Sequence, residues 1–180
     1  MDEITTDRLV LRALAAADLP AFVAYRRDPA IARYQSWDEA YSVADAQRLL
    51  AELADVRLGQ AGAWVQVAIV DLATGGLLGD CAARVLADPP GCAEIGVTLA
   101  CAHHGRGVAG EALWALVRVL FDEHGVRRVI AEVDDRNGPA QRVLEGLGFR
   151  LEARFVEADW FKGEWTTLRV YAMLRDDRPR

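Results

Sequence analysis

The segment Gly105-Arg106-Gly107-Val108-Ala109-Gly110 lies between a predicted strand and a predicted helix. Its small residues let the backbone turn tightly and approach a ligand. The unpaired N–H groups and the dipole at the start of a helix attract an anion such as a pyrophosphate. Arg106 adds a positive charge to the turn. Because a turn without a ligand usually needs fewer glycines, the segment predicts a phosphate-binding site.

The same six residues also match the G-x-G-x-x-G pattern of dinucleotide-binding enzymes. Glu132 follows at about the distance of the acid that binds the ribose in those enzymes. In that pattern the strand runs almost directly into the first glycine, whereas Cys101-Ala102-His103-His104 intervene here. The chain after Glu132 is also too short for the rest of a six-stranded parallel sheet. A nicotinamide-dependent enzyme is therefore the less favoured interpretation.

Alternating strands and helices surround this segment. Predicted strands cover residues 8–14, 63–71, 76–86, 93–100, 129–133, 149–157 and 166–174. Predicted helices run from Asp18 to before Asp28, from Ser42 to Gly59, from the glycine turn to Gly125, and from Asn137 to Leu147. The three strands before the glycine turn predict an antiparallel meander, and the whole pattern indicates a mixed sheet between helices.

The charge balance excludes several classes of partner. The chain carries 27 acidic and 21 basic residues, for a net charge of −6. Nucleic acid binding needs a basic face, and no long basic run is present. The apolar runs are far shorter than the ~20 residues that a bilayer needs. The polar, acidic N-terminus lacks the pattern of a signal peptide, so a cytoplasmic location without membrane contact is expected.

Two residue counts limit the chemistry. The only serines are Ser36 and Ser42, which leaves almost no place for a serine nucleophile. Three cysteines, Cys81, Cys92 and Cys101, form no C-x-x-C pair. An odd number of such cysteines favours reduced thiols over a disulfide framework or a zinc site, and no metal is expected.

Four blocks of the chain resemble the GNAT superfamily of N-acetyltransferases. Residues 104–109, His-Gly-Arg-Gly-Val-Ala, resemble its coenzyme A signature Gln/Arg-x-x-Gly-x-Gly/Ala, with histidine in the first position. Residues 137–149 are similar to the N-x-x-S and following G-F segment. Residues 160–165 ahead of 171–174, together with residues 5–12, resemble the Rim-type ribosomal-protein N-terminal acetyltransferases. The likeness spans nearly the whole chain.

This resemblance implies a fold and an activity. The fold would be an α/β GNAT domain with a mixed, mostly antiparallel sheet of six to seven strands. Helices would lie on both faces, and the central strands would be splayed apart. One domain would cover residues 1–174, and residues 175–180 would form a frayed tail. The activity would be direct transfer of an acetyl group from acetyl-CoA to a primary amine, with no covalent enzyme intermediate.

The resemblance also assigns residues to the coenzyme. Backbone N–H groups of the glycine turn would bind the pyrophosphate, and the strand before the turn would hold the pantetheine arm and the acyl oxygen. Asn137 would contact the coenzyme from the start of the next helix. The residues expected to bind acetyl-CoA are Val97, Leu99, His104, Gly105, Arg106, Gly107, Val108, Ala109, Gly110, Asn137 and Arg142.

Catalytic groups are expected from three residues. Asp159 lies where Rim-type enzymes tend to carry a glutamate thought to act through water, and Glu94 lies on the strand that lines the acceptor side. Tyr171 is a candidate proton donor, although a tyrosine packed in the closing strand is the alternative. Family members place a donor hydroxyl at one of two positions, which here hold Ala140 and Leu144.

Several alternatives stay open at this point. The acceptor amine could belong to a protein N-terminus or to a small molecule such as an aminoglycoside or an amino acid. The chain could instead be an acyl-CoA-binding module with weak or no catalysis. Tyr34, Trp37, Tyr41 and Trp64 are candidates for the floor of an acceptor groove, with plain core packing as the other interpretation. A homodimer is possible by base rate.

Overall fold

A computed structural model describes residues 2–178 as a single mixed sheet with α-helices packed on it. The strands are β1 (Ile4–Thr5), β2 (Leu9–Ala13), β3 (Trp64–Asp71), β4 (Leu77–Val85), β5 (Cys92–Leu99), β6 (Arg128–Asp134), β7 (Arg150–Phe161) and β8 (Glu164–Leu174). The helices are α1 (Leu19–Arg26), α2 (Pro29–Ala32), α3 (Val43–Glu52), α4 (Val108–Glu123) and α5 (Gly138–Gly146). Short 3-10 turns occur at Ala16–Asp18, Cys101–His103 and Arg175–Asp177.

The sheet has the strand order β1-β2-β3-β4-β5-β6-β8-β7. Each pair of neighbours is antiparallel except β5 and β6, which are parallel. That parallel pairing joins only Cys92–Glu94 to Arg128–Ile130. Beyond Glu94 and Ile130 the two strands separate. The expected splay of the central strands is therefore present, and it opens toward the carboxyl ends of β5 and β6.

Helices cover both faces of the sheet, and its central strands are therefore buried on both sides. On β3, Val67 and Ile69 belong to the core that α4 and α5 cover. Ala68 and Val70, which point the other way, belong to a second core under α1 and α3. Successive residues of a strand point to opposite faces, so the near-continuous apolar run of β3 is the pattern expected for a strand covered on both sides.

The larger core is built around α4. Leu113, Leu116, Val117 and Leu120 recur at helical spacing, and each is at most 2% exposed. Full burial of such a side chain stabilises the fold by roughly 1.5–3 kcal/mol. This packing fixes the axis of α4 against β5 and so fixes where the glycine turn at its N-terminus lies.

The α/β fold class is confirmed, with differences in detail. The sheet has eight strands because the two-residue β1 adds a short edge pair, Ile4 with Leu11 and Thr5 with Val10. Helix α2 was not predicted, although Asp28 caps it by accepting from the Ala30 N–H at 2.9 Å. Helix α3 ends at Glu52 rather than near Gly59. These are short elements, for which local pattern carries little information.

The tail that was predicted to fray covers residues 175–180. Its first residues form a 3-10 turn, in which Arg175 donates to the Val126 carbonyl oxygen at 3.0 Å. Arg178 pairs with Asp122 at 2.5 Å. Residues 179 and 180 lie outside the part of the chain that the structure describes. No helix within residues 2–178 is long and apolar enough to cross a membrane.

Candidate active site

The glycine turn presents a row of free backbone donors at the start of α4. Gly105 and Gly107 adopt left-handed conformations, with φ of +71° and +77°, which favour glycine. Gly107 is the N-cap residue, and no side chain caps the helix there. Among the described residues, no acceptor pairs with the backbone N–H groups from Gly105 to Gly110. These donors, together with the helix dipole, form a site suited to a phosphate.

Side chains around the turn leave it positively charged. Arg8 donates to the Arg106 carbonyl oxygen at 3.1 Å and pairs with Glu111 at 2.5 Å. Burial alone would raise the pKa of Glu111, but hydrogen bonds from Thr6 and Arg8 outweigh it and hold the pKa below its ordinary value. The Glu111 charge is thereby compensated within the protein. Arg106 itself is exposed and available to an anion.

His104 joins the turn to the end of β5. Its Nε2 lies 3.0 Å from the Leu99 carbonyl oxygen, and because a carbonyl only accepts, Nε2 donates. The ring is therefore directed toward β5. His104 and Leu99, both expected at the coenzyme, are brought together here.

A cleft of about 150 Å³ opens where β5 and β6 separate. Its walls come from both strands, from α4 and α5, and from the loop after α2. The lining residues are Tyr34, Gln35, Ile95, Gly96, Val97, Leu113, Ala131, Glu132, Val133, Asp134, Asn137, Ala140, Val143 and Leu144. The cleft thus contains Val97 and Asn137 among the residues expected to bind acetyl-CoA. It also contains Ala140 and Leu144, where the donor hydroxyl was expected to be absent.

Helix α5 contributes two of the expected coenzyme residues. Asn137 is its N-cap, and the side-chain Oδ1 accepts from the Ala140 N–H at 3.3 Å. Arg142 is exposed one turn further along the helix. The side-chain oxygen of Asn137 is therefore engaged in capping, while the residue also lines the cleft.

Carboxylates near the cleft differ in their partners. Glu94 on β5 is paired with Arg84 at 2.5 Å. Asp134 is held by Arg136, and this contact lowers the pKa of Asp134. Glu132 on β6 makes no salt bridge within residues 2–178. Glu94 and Asp134 are thus each paired with an arginine, whereas Glu132 is not.

The pKa of Glu132 is raised above its ordinary value. Loss of solvent around the carboxylate contributes most, the negative charge of Glu94 adds to it, and the positive charge of Arg84 opposes it. Asp159 also raises this pKa, so its carboxylate is close enough to act on Glu132. Asp159 lies on β7 opposite Thr166, half-buried, and is not part of the cleft wall.

Tyr171 does not reach the cleft. It is 0% exposed on β8 and donates to Glu145 Oε1 at 2.9 Å. Burial raises the pKa of its phenol, which Arg169 opposes and Glu145 reinforces. The structure therefore favours the packing alternative for Tyr171 over the role of proton donor.

The aromatic candidates for an acceptor groove lie in three different places. Tyr34 lines the cleft, and its hydroxyl donates weakly to the Arg136 carbonyl oxygen at 3.4 Å. Trp37 and Tyr41 pack around the buried Arg26 guanidinium, with ring centroids 3.6 and 5.1 Å from it. Trp64 is 39% exposed and packs against Arg84.

Glu132 is the cleft residue that sequence reasoning placed in another role, as a ribose ligand. A local signal for it exists, because it is a single charged residue between the buried Ala131 and Val133. The splay that opens the cleft beside it depends on pairing between distant strands. In the described residues, no group of three or more His, Cys, Asp or Glu side chains is arranged to hold a metal ion.

Comparisons with known proteins agree with this geometry. Residues 8–150 match a family described as "Acetyltransferase (GNAT) domain". The chain is 27% identical over 176 residues to the uncharacterized N-acetyltransferase p20 of Bacillus licheniformis, covering 97% of each chain.

Two solved structures share the fold. The ribosomal-protein-S5-alanine acetyltransferase from Vibrio fischeri superposes with a TM-score of 0.84 at 16% identity, covering 100% of each chain. The spermidine N-acetyltransferase from Vibrio cholerae, solved in complex with CoA and spermine, superposes with a TM-score of 0.81 at 21% identity. That match covers 96% of this chain and 98% of the other.

Proposed function

The chain belongs to the family of acetyltransferase (GNAT) domains, and from this premise we propose that it transfers an acetyl group from acetyl-CoA to a primary amine on a protein N-terminus or a small molecule. The observation that carries the proposal is the cleft between β5 and β6 beside the free N–H groups of the glycine turn. The glycine turn offers N–H donors for a pyrophosphate. The cleft offers space in which a thioester and an amine can meet.

Acetyl-CoA would lie from the glycine turn into the cleft. The backbone N–H groups of residues 105–110 and the exposed Arg106 are the donors for the pyrophosphate. Val97 and Leu99 supply the strand edge that β6 leaves unpaired, where backbone groups hold the pantetheine arm and the acyl oxygen. Asn137 and Arg142 contact the coenzyme from α5. His104 supports the site by holding the end of β5 to the turn.

The reaction needs one proton acceptor and one leaving group. The amine must lose a proton before its nitrogen forms a bond to the thioester carbon, after which the carbon–sulfur bond breaks and the thiolate leaves. Glu94 and Asp159 are the acids that the resemblance offers as the base. Glu94 would act while paired to Arg84, and Asp159 would act through water. A thiol has an ordinary pKa of about 8.5, so water can protonate the thiolate without a side-chain donor.

The acceptor belongs to one of two classes. The resemblance of residues 160–165 and 171–174 to Rim-type enzymes favours a protein N-terminus. The two structures with the same fold are named for a ribosomal-protein alanine and for spermidine, which represent both classes. We therefore place the N-terminus of a ribosomal protein first and a small cationic amine second.

The test is incubation of the purified chain with acetyl-CoA and a panel of amines, followed by mass spectrometry. The panel contains N-terminal peptides of ribosomal proteins, polyamines, amino acids and aminoglycosides. We expect an acetylated product from at least one peptide or polyamine. Absence of product with every amine would contradict the proposal. Tight binding of acetyl-CoA in that case would support a coenzyme-binding module instead.

A homodimer and a cytoplasmic location complete the proposal. Three apolar side chains of the edge strand β7, Phe155, Val156 and Trp160, are more than half exposed, as is Trp165 on the adjacent strand β8. An edge strand with apolar side chains is a ready pairing surface, and a second copy is its simplest occupant. Light scattering of the purified chain tests this directly. The three free cysteines, Cys81, Cys92 and Cys101, favour a reducing compartment.

A further inference from the structure

The turn between β7 and β8 holds a lysine in a conformation that lysine rarely adopts. β7 ends at Phe161 and β8 begins at Glu164, so Lys162 and Gly163 form a two-residue hairpin turn. Their φ angles are +50° and +86°. A hairpin turn with positive φ at both residues favours asparagine followed by glycine. The chain instead places its only lysine there, at a conformational cost that residues often bear for a function.

The ammonium group of Lys162 joins this turn to the loop that follows α2. Its Nζ donates to the Ala32 carbonyl oxygen at 2.7 Å and to the Trp37 carbonyl oxygen at 2.6 Å. A lysine ammonium has three N–H donors and no acceptor, which suits two carbonyl oxygens. These two carbonyls flank residues 33–36, here called loop 33–36. A single side chain therefore draws the two ends of this loop together.

The middle of loop 33–36 faces the cleft and is held less firmly than its ends. Trp37 is fixed to α1, because its Nε1 donates to the Arg26 carbonyl oxygen at 3.1 Å. Tyr34 and Gln35 line the cleft. The Tyr34 hydroxyl reaches the Arg136 carbonyl oxygen only at 3.4 Å, which is long for such a bond. The position of Tyr34 and Gln35 in the cleft wall therefore depends on how the ends of the loop are held.

The same hairpin turn also contacts the other wall of the cleft. Glu164 accepts from Arg136 at 2.7 Å, and Arg136 precedes Asn137, the N-cap of α5 that lines the cleft. An exposed ion pair such as this one contributes little. Lys162 is the stronger of the two contacts, since its charged group donates to two backbone oxygens.

Loop 33–36 belongs to a different part of the site from the proposed coenzyme contacts. The pyrophosphate donors lie at the start of α4, and the strand edge for the pantetheine arm belongs to β5. Loop 33–36 closes the cleft from the side of α2. Its position should therefore affect the amine much more than acetyl-CoA.

From these contacts we propose that Lys162 is a positioning residue for the acceptor amine, a role that rests on the acetyltransferase function proposed above. Its ammonium group holds loop 33–36 closed, so that Tyr34 and Gln35 form the wall that the amine meets. Without this contact the loop populates open conformations, and the apparent affinity for the amine falls with the fraction of closed molecules. An amine that has bound holds the loop closed, so the bound complex reacts at its ordinary rate.

The deciding variant is Lys162→Asn, which removes the ammonium group and gives the turn the Asn-Gly pair that it favours. We expect the KM for the amine to rise about tenfold and kcat to stay within about twofold. Acetyl-CoA affinity should be unchanged, and the thermal midpoint should not fall. The amine is an N-terminal peptide of a ribosomal protein, or spermidine if the peptides give no product. Lys162→Gly, which also suits a left-handed turn, should behave in the same way.

Two further variants separate this role from a general effect of charge. Lys162→Arg keeps a cation with several N–H donors and should restore most of the amine affinity. Arg57→Asn is the matched control, because Arg57 also donates to two backbone carbonyl oxygens, at 3.0 and 3.2 Å, outside the cleft wall. Its KM for the amine should equal that of the wild type.

Limited trypsin digestion reports on the loop without reference to activity. Arg33 is exposed in loop 33–36, and cleavage after it tracks the population of open loop when opening and closing are fast. We expect Lys162→Asn to raise the rate of cleavage after Arg33 about tenfold. Lys162→Arg and Arg57→Asn should leave this rate close to that of the wild type.

Several results would overturn the role of Lys162. A KM for the amine within about threefold of the wild type in Lys162→Asn would do so and would leave the proposed function standing. A parallel loss of acetyl-CoA affinity would show a change of the whole cleft and would also overturn it. Unchanged cleavage after Arg33 would show that Lys162 does not hold the loop. An inactive wild type would remove the proposed function and the role in amine binding together.

Discussion

Ala140 and Leu144 show how single residues alter a shared site. Both line the cleft, at the two positions where the resemblance leads one to expect a donor hydroxyl. Tyr171, the remaining candidate, is buried against Glu145. The described cleft wall therefore offers Tyr34 as its one hydroxyl group. Under the proposed function, the thiolate would therefore take its proton from water, with Tyr34 as the one hydroxyl of the described cleft wall that could assist.

A hydroxyl restored at residue 140 should increase turnover. Ala140 is half-buried on α5, and a serine at this position adds one oxygen to the cleft. A positioned proton donor contributes roughly 10²–10⁴-fold, but water already serves a thiolate in part, so we expect Ala140→Ser to raise kcat by about tenfold. Steady-state kinetics with acetyl-CoA measure this. A kcat unchanged or lowered, with the thermal midpoint preserved, would show that protonation of the thiolate does not limit the rate.

Asp18 is a second residue with a measurable contribution. Its carboxylate accepts from Arg12 at 2.7 and 2.9 Å and from the Ala15 N–H at 2.8 Å, and these bonds hold its pKa below the ordinary value. Hydrogen bonds to a charged group are worth roughly 1.5–3 kcal/mol. We expect Asp18→Asn to lower the free energy of unfolding by about 2 kcal/mol at neutral pH.

The pH dependence of this effect has a defined sign. A lowered pKa stabilises the fold fully above the ordinary value of about 3.9, and the contribution is lost as pH falls through the lowered pKa. The difference between wild type and Asp18→Asn should therefore shrink below about pH 4 in urea unfolding. Asp55→Asn, at an exposed position, is the control. A difference independent of pH would contradict the ion-pair explanation.

At the level of elements, the start of α4 holds the conformation on which the proposed coenzyme binding depends. Gly107 has φ of +77°, and a Cβ there would lie 3.5 Å from an Arg8 nitrogen. Gly163, in the turn between β7 and β8, has φ of +86° and no atom within 4 Å of such a Cβ. A left-handed conformation costs a non-glycine residue roughly 1–2 kcal/mol. Alanine should therefore cost a similar conformational free energy at Gly107 and at Gly163, so Gly163→Ala is the control for Gly107→Ala.

We expect Gly107→Ala and Gly163→Ala to lose similar stability, about 1–2 kcal/mol each. Only Gly107→Ala should weaken acetyl-CoA binding, by about tenfold, which corresponds to about 1.4 kcal/mol. Urea unfolding and titration calorimetry measure the two quantities. Equal affinity of both variants for acetyl-CoA would show that the turn does not bind the pyrophosphate.

Elements with strong local pattern were predicted well, and short or distant features were not. The apolar stripe of α4 and the capping box of Ser42 with Asp45 are local, and both are present. Helix α2 has four residues and β1 has two, too few for a periodic pattern. The burial of Tyr171 and the place of Glu132 at the cleft depend on which distant strands pair, which no local window contains.

For the molecule as a whole, bound coenzyme should appear as added stability. A ligand at 100 times its Kd stabilises the folded state by about 2.7 kcal/mol. A chain of this length shifts its Tm by roughly 2–4 °C per kcal/mol, so acetyl-CoA at that concentration should raise the Tm by about 5–10 °C. NADH at equal concentration is the control. A shift with NADH and none with acetyl-CoA would revive the dinucleotide interpretation.

The short pairing of β5 with β6 also bears on the order in which the chain folds. From β1 to β5, each strand pairs with its neighbour in the sequence. β1 with β2, and β3 with β4 and β5, form hairpin-like closures of low contact order, whereas the β2–β3 pair spans the helices α1 to α3. The last three strands pair among themselves. Three residue pairs join the two sets, across the crossover made by α4. We expect this seam to close last, and a nascent chain would complete its N-terminal strands before the cleft between β5 and β6 exists.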